Sequence, residues 1–443
     1  MNTTPVDLLI RHAYVLTMDP EGHIFSDGAI AVHDGKIVEV GQDREVGSRP
    51  ATRVVEAHGR ALLPGLVNCH THVPMTLFRG IADDKELMDW LRNYIFPVES
   101  QAVDADFVRC GTRLGLYEML KGGTTTIVDM YMFEHVVAEE LDRVGMRGVL
   151  GQAVADFPTP DFKTWGAMME GCERFITEWG KHPRISPALA PHAPYTVGPD
   201  HLQECQALAL RLDCPLLIHL AETKAEHDQI TQERGLAPVS YLHKLGLLTP
   251  RLIAAHMVWP QESEIPLLAQ NGVGVGHCPQ SNAKLASGIA PVVKMLQAGV
   301  AVGLGTDGAA SNNDLDMWQE MQTAAFLQKL GCNDATVLSA RQTLELATCS
   351  AARAAHLDRK IGSLEVGKQA DMILVRLDSP HQIPVYDAVS QLVYTTKSTD
   401  VEWVFIDGRV VVEQGKVLGI DEAELRAEVT EQSERVRKLL AQR

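Results

Sequence analysis

Apolar residues recur in two rhythms along this chain. Near both ends they come in short runs split by tight polar turns, and between the ends short apolar runs alternate with longer stretches of helical spacing. At the start, Val6-Asp7-Leu8-Leu9-Ile10 and Ala29-Ile30-Ala31-Val32-His33 precede Asp34-Gly35, and Lys36-Ile37-Val38-Glu39-Val40-Gly41 follows. Asp-Gly between two apolar runs signals a hairpin, because a type I′ turn needs positive φ at both central residues. The plan returns near the end as Glu402-Trp403-Val404-Phe405-Ile406, Asp407-Gly408 and Arg409-Val410-Val411-Val412, with a further strand over Ala370-Asp371-Met372-Ile373-Leu374-Val375. The two ends are expected to pair into one small β-sandwich, with two independent β appendages as the alternative.

The middle of the chain predicts strands over 124–130, 147–153, 185–190, 215–220, 252–258, 273–278 and 300–305, with helices over 105–121, 201–212 and 314–330 among the intervening stretches. With the apolar run Leu62-Leu63-Pro64-Gly65-Leu66-Val67-Asn68-Cys69 that leads into His70-Thr71-His72, this makes eight βα units. Eight such units fit an α/β fold of the (β/α)8 barrel kind better than an open sheet. The expected organisation is 1–64 as the first part of the β-sandwich and 65–360 as the barrel. Segment 361–420 completes the sandwich, and 421–443 is a terminal helix with Leu425, Val429, Val436 and Leu440 on one face.

Composition narrows the partners. Of the 443 residues 45% are apolar and 22% charged, as in ordinary soluble globular proteins. A formal charge of −17 disfavours a nucleic-acid backbone or an anionic membrane as partner and leaves a small neutral or cationic substrate open. No apolar run approaches the ~18 residues of a membrane span. Asp7 and Arg11 interrupt the first apolar stretch, so no signal peptide is visible. None of the eight cysteines forms a C-x-x-C pair, which suits reduced thiols. A cytoplasmic homo-oligomer is expected.

In such a barrel, chemistry gathers at the C-terminal ends of the strands. Strand alternation puts His70 and His72 on one side, close enough to share a metal ion. The later ends carry His192, then His219 and Glu222, then His256, His277 and Asp307. Each histidine alone is commonly a core residue, but histidine or aspartate at six of eight ends points to a metal site.

These residues, with Pro64-Gly65-Leu66-Val67-Asn68-Cys69-His70-Thr71-His72, Pro74-Met75-Thr76-Leu77-Phe78-Arg79-Gly80, Pro191-His192-Ala193-Pro194-Tyr195 and Gly305-Thr306-Asp307-Gly308-Ala309-Ala310-Ser311-Asn312-Asn313, carry a resemblance. The whole chain resembles the amidohydrolase superfamily, and within it the 5′-methylthioadenosine/S-adenosylhomocysteine deaminase family. The resemblance implies that His70, His72, His219 and Asp307 hold one divalent metal ion, zinc or iron, with a water in the open position. Binuclear relatives bridge their metals with a strand-four lysine or glutamate, and 185–192 offers neither. It further implies hydrolysis of a ring C–N bond, turning the 6-amino group of an adenine nucleoside into the inosine analogue plus ammonia. Glu222 would be the general acid, His256 would hold the attacking oxygen, with a fifth metal ligand or a core histidine as its alternatives, and Asp307 would take the proton. Strict alternation would turn Glu222 away from His219, so the strand must end near Leu220. Glu99 would read the ribose diol, with Trp90 and His192 beside the nucleoside; a plain core role is the alternative for Trp90.

One departure concerns specificity. Members that take S-adenosylhomocysteine carry arginines for its carboxylate in and after the third strand, and this chain has no arginine from 148 through 173. Methylthioadenosine or adenosine is therefore expected over S-adenosylhomocysteine. The competing readings are a triazine or guanine deaminase or dechlorinase of the same superfamily, for which Glu99 is the discriminator, and a non-catalytic barrel scaffold. The zinc deaminases with P-C-x-x-C are excluded, since that motif is absent.

Overall fold

The computed structural model describes residues 5–442. Strands β1 (Val6–Leu16), β2 (Ile24–His33), β3 (Lys36–Gln42), β4 (Ala51–Glu56) and β5 (Arg60–Pro64) form one sheet with four strands from the far end of the chain. Between them in sequence lie β6 (Leu66–Thr71), β7 (Thr124–Tyr131), β8 (Arg147–Val154), β9 (Ile185–Pro191), β10 (Leu216–Leu220), β11 (Leu252–His256), β12 (Gly274–His277) and β13 (Ala301–Leu304). The returning strands are β14 (Met372–Arg376), β15 (Val401–Ile406), β16 (Arg409–Glu413) and β17 (Lys416–Val417).

The two ends pair as expected through β5 and β14, antiparallel with Leu63 opposite Ile373. The Asp-Gly turns adopt the predicted backbone, with φ of 48° and 75° at Asp34 and Gly35 and of 48° and 70° at Asp407 and Gly408. The sandwich is a single nine-stranded sheet curled around its own core, not two separate sheets. Ile10, Val15, Ile30, Leu62, Leu374 and Phe405 fill that core. Continuity arises because β1 bonds β2 along one edge and both β4 and β5 along the other.

The eight parallel strands β6 to β13 follow one another in sequence order and make the barrel. Every residue of β6, β7, β10, β11 and β12 is buried, which is why β10 and β11 read as nearly continuous apolar runs without alternation. The predicted strand over 252–258 stops at His256, because His256 and Met257 turn left-handed with φ of 73° and 49°. The helix expected over 314–330 runs Met317–Cys332, since the Asp316 side chain accepts from Trp318 N and fixes the start later. The terminal helix Glu422–Ala441 buries Leu425 and Val436 and lies against the helices Phe96–Ala102 and Ala105–Lys121.

One buried ion cluster joins barrel to sheet. Arg147 at the start of β8 is 2% exposed; its Nε donates to Asp371 Oδ2 at 2.8 Å and its Nη2 to Asp407 Oδ1 at 2.6 Å. Asp407 N in turn donates to Asp371 Oδ1 at 2.8 Å. Replacing Arg147 by methionine keeps most of the volume and strands the Asp371 charge. We expect a loss of about 3–5 kcal/mol in urea unfolding; a loss under about 1 kcal/mol would show that the cluster is not what couples the two bodies.

Candidate active site

Four side chains converge where β6, β10 and β13 end. The ring of His70 lies 4.8 Å from that of His72 and 4.9 Å from that of His219. His72 Nε2 and His219 Nε2 are 3.1 Å apart. Asp307 Oδ1 lies 3.5 Å from His70 Nε2 and 3.3 Å from His72 Nε2. The barrel seam makes this approach possible: Asp307 N donates to His70 O at 2.9 Å. A Cβ on Gly305 would lie 2.7 Å from His70 N, so only glycine lets the chain leaving β13 reach β6 here.

Neighbouring strands set the tautomers. His72 Nδ1 donates to Met130 O at 2.5 Å and His219 Nδ1 to His192 O at 2.7 Å. Both Nε2 atoms then carry lone pairs, and they face each other. Asp307 is held from the far side, its Oδ2 accepting from Ser281 Oγ and Ser311 Oγ, each at 2.7 Å. Burial pushes His70 down to about 4 and His219 well below the usual imidazole range. Burial raises Asp307, yet its closeness to the His70 and His72 rings holds it well below the carboxylate range.

This array calls for a cation. Opposed lone pairs at 3.1 Å repel unless something positive sits between them, and His70 Nε2 is buried without a partner among the described residues. The ligand atoms of His70, His72 and His219 lie within 4.8 Å of one another, as do those of His70, His256 and Asp307. Three imidazoles and a carboxylate suit zinc or iron rather than calcium or magnesium. The carbonyls behind His72 and His219 are the outer contacts that histidine ligands use.

Beside the cluster lies a cavity of about 540 Å³, lined by His72, His192, His219, Glu222, His256 and Asp307 together with Glu99 and Trp90. β10 does end at Leu220, and Ala221 turns left-handed with φ 53°, which brings Glu222 round to the cavity. Glu222 is 5% exposed, with its Oε2 3.8 Å from His256 Nε2. Burial raises the proton affinity of both Glu222 and Glu99. His256 Nδ1 pairs with Asn282 Oδ1 at 3.0 Å, and His192 Nδ1 with Thr196 Oγ1 at 2.9 Å. Trp90 lines the cavity while its Nε1 donates to Ile81 O at 3.2 Å, so it serves the wall and the core together.

His277, also at a strand end, is 2% exposed and does not line the cavity. Reading strand ends for histidine and aspartate alone overlooks Tyr131, the last residue of β7, whose hydroxyl donates to Glu99 Oε1 at 2.6 Å. It overlooks also Ser311 and the roles of Ser281 and Asn282. Extending the search to hydroxyl and amide groups just past each strand would have found them.

The model of the Amidohydrolase family matches residues 61–411. A 5-methylthioadenosine/S-adenosylhomocysteine deaminase of Syntrophobacter fumaroxidans is 45% identical over 438 residues, which is 99% of this chain and 98% of that protein. The structure of an adenosine deaminase from Xanthomonas campestris with bound zinc is 42% identical and superposes with a TM-score of 0.96, covering 98% of this chain and 99% of that one. A zinc complex of an atrazine chlorohydrolase from Arthrobacter aurescens is 26% identical, with a TM-score of 0.89 over 96% of this chain and 100% of that one. With a family match across most of its length and a near full-length relative at this identity, the chain belongs to the amidohydrolase family.

Proposed function

We propose that this protein is a metal-dependent hydrolytic deaminase of adenine nucleosides, preferring 5′-methylthioadenosine, with His70, His72, His219 and Asp307 holding one zinc or iron ion. The observation that carries the reading is that a buried acid (Glu222), a buried carboxylate suited to a diol (Glu99) and the cation-seeking cluster all open on one cavity. A small nucleoside is then the ligand. The charge of −17 supports a protein that binds neither nucleic acid nor membrane. Among the described residues no helix is long and apolar enough to cross a membrane. The reading includes a cytoplasmic homo-oligomer.

The chemistry that a bound divalent ion supplies is water with its pKa lowered from 15.7 toward about 7. Everything else falls to the chain's own groups. Asp307 takes the proton released as the water oxygen adds to C6, while Ser281 and Ser311 steady its other oxygen. His256, oriented by Asn282, hydrogen-bonds the adding oxygen. Glu222, whose proton affinity burial raises, gives its proton to the ring nitrogen N1, without which C6 resists addition. Collapse then moves the Asp307 proton to the amino group, which leaves as ammonia. The new hydroxyl returns a proton to Glu222 and becomes the carbonyl.

Glu99 accepts from the ribose with Oε2, the oxygen that Tyr131 leaves free. Met88, Leu91, Phe96, Met132 and Phe157 give the cavity apolar walls suited to a short thioether tail. Gln152, the last residue before Ala153 on the third barrel strand, spends its amide on Asp161 Oδ2 at 2.9 Å, so no carboxylate anchor is offered there. Among the described residues Arg92 is the one lysine or arginine lining the cavity, and it is exposed.

Elemental analysis should find one tightly held metal equivalent per chain, lost in His219→Ala and Asp307→Ala, and chelation should abolish activity until zinc is restored. Two tightly held equivalents would overturn the single-ion reading. Ammonia release from methylthioadenosine, adenosine, S-adenosylhomocysteine, free purines and triazines tests the substrate. We expect kcat/KM to be highest on methylthioadenosine, and a clear preference for S-adenosylhomocysteine sinks the specificity argument and redirects it to Arg92. Glu99→Ala should cost about 10- to 150-fold in kcat/KM on nucleosides, the worth of one hydrogen bond to a charged group, and spare any free-base turnover. Equal loss on both substrate classes would remove Glu99 as the diol reader.

A further inference from the structure

We infer that Glu226 is a positioning residue for Glu222, gripping with its carboxylate the two backbone amides that turn the acid into the cavity; the inference rests on the reading of Glu222 as the general acid. Glu226 is 4% exposed and does not line the cavity. Its Oε1 accepts from Ala221 N at 2.9 Å and its Oε2 from Glu222 N at 2.7 Å. One carboxylate thus takes two successive amides, one on each oxygen.

The grip answers a local problem. Between His219 and Glu222 the chain must abandon strand alternation, and it does so by placing Ala221, which has a Cβ, at φ 53°. Such backbone is strained and persists only where its surroundings hold it. A left-handed residue points consecutive N–H groups into one concavity, which an anion fills. Thr223-Lys224-Ala225-Glu226 has the pattern of a capping box, in which the glutamate would bond the N–H of Thr223 itself. Only half of that box is made here: Thr223 Oγ1 accepts from Glu226 N at 3.1 Å. The Glu226 side chain reaches past the cap to residues 221 and 222 instead.

The same peptide is tied to the next strand end. Ala221 O accepts from Val258 N at 2.9 Å and Trp259 N at 2.8 Å, and Leu220 O accepts from Met257 N at 3.1 Å. These amides belong to the left-handed turn that begins at His256. Glu226 therefore holds a unit in which the turn of Glu222 and the turn of His256 are joined through two successive peptide groups. Acting behind the backbone, it fixes where Glu222 emerges.

The test is a double-mutant cycle of Glu226→Gln and Glu222→Gln, with kcat, KM and metal content measured on each. Glutamine at 226 keeps the size but sets an N–H against one of the two amides. Glu226→Gln should lower kcat about 10- to 100-fold, the range a misplacement of about 1 Å produces. KM should stay within about threefold and metal content should not change. In the Glu222→Gln background the further loss should be under about twofold, because residues acting as one unit are not additive. An unchanged kcat in Glu226→Gln, or the same fold loss in both backgrounds, overturns the inference and leaves the deaminase reading standing. A parental kcat in Glu222→Gln overturns the acid assignment itself. If Glu226→Gln does not fold, Thr223→Ala loosens the hold on Glu226 N alone. A kcat loss of about two- to fivefold that vanishes in the Glu222→Gln background supports the inference, and an additive loss overturns it.

Discussion

Three imidazole nitrogens and a carboxylate packed together away from water form the constraint on which the rest of the structure turns. Left to themselves, His72 and His219 would not hold their Nε2 atoms 3.1 Å apart. They do so because each ring is pinned from behind by the carbonyl of an adjacent strand, Met130 O on β7 and His192 O just past β9. Asp307 can join them because glycine at 305 lets two backbones meet at the seam. Strand order, strand length and glycine placement are thus demands of the site as much as of the barrel. A cation between them turns this repulsion into cohesion.

Much of this was legible in the chain because it depends on local rules. Asp-Gly turns announce their φ values, and apolar runs buried on both faces announce parallel strands. His70, His192, His219, His256 and Asp307 could be placed at strand ends by counting outward from those runs. The less legible part depends on backbone that departs from the local rule. His256 and Met257 carry residues that read as strand and adopt left-handed turns, and the hydrogen bonds that hold those turns come from Leu220 and Ala221, more than thirty residues earlier. The inward turn of Glu222 was required by its chemistry, but the group that secures it lay four residues ahead in what reads as an ordinary helix start. Tyr131 and Ser311 were missed for a different reason: a hydroxyl at a strand end is unremarkable until the carboxylate it serves is in view. The single curled sheet could not be told from two stacked ones, since both give the same alternation along each strand.

The division of labour across the cavity follows from burial. Asp307 is dry and held by three hydrogen bonds, so little reorganisation is left to it at the moment of reaction. The wall that faces them is built largely of methionine, leucine and phenylalanine from the helical segment 87–100 and from the loop after β8. Such side chains conform to a ligand without directing it. One half of the cavity is therefore polar and the other mostly apolar and yielding, with Glu99 and Arg92 as its charged members.

The pairing of β5 with β14 has a consequence for biosynthesis. Leu62 and Leu63 emerge from the ribosome as an apolar sheet edge, and Ile373 and Leu374, which cover it, follow roughly 300 residues later. At 5–20 residues per second that edge waits about 15–60 s without its partner. Nor can Arg147 be neutralised until Asp371 arrives. A chain cut short in the barrel after Arg147 keeps an open strand and an unmatched guanidinium, which is what proteases and chaperones act upon. The closing of the sheet thus reports that translation has reached the last third of the polypeptide, and an intact catalytic barrel carries that proof of completeness in its fold.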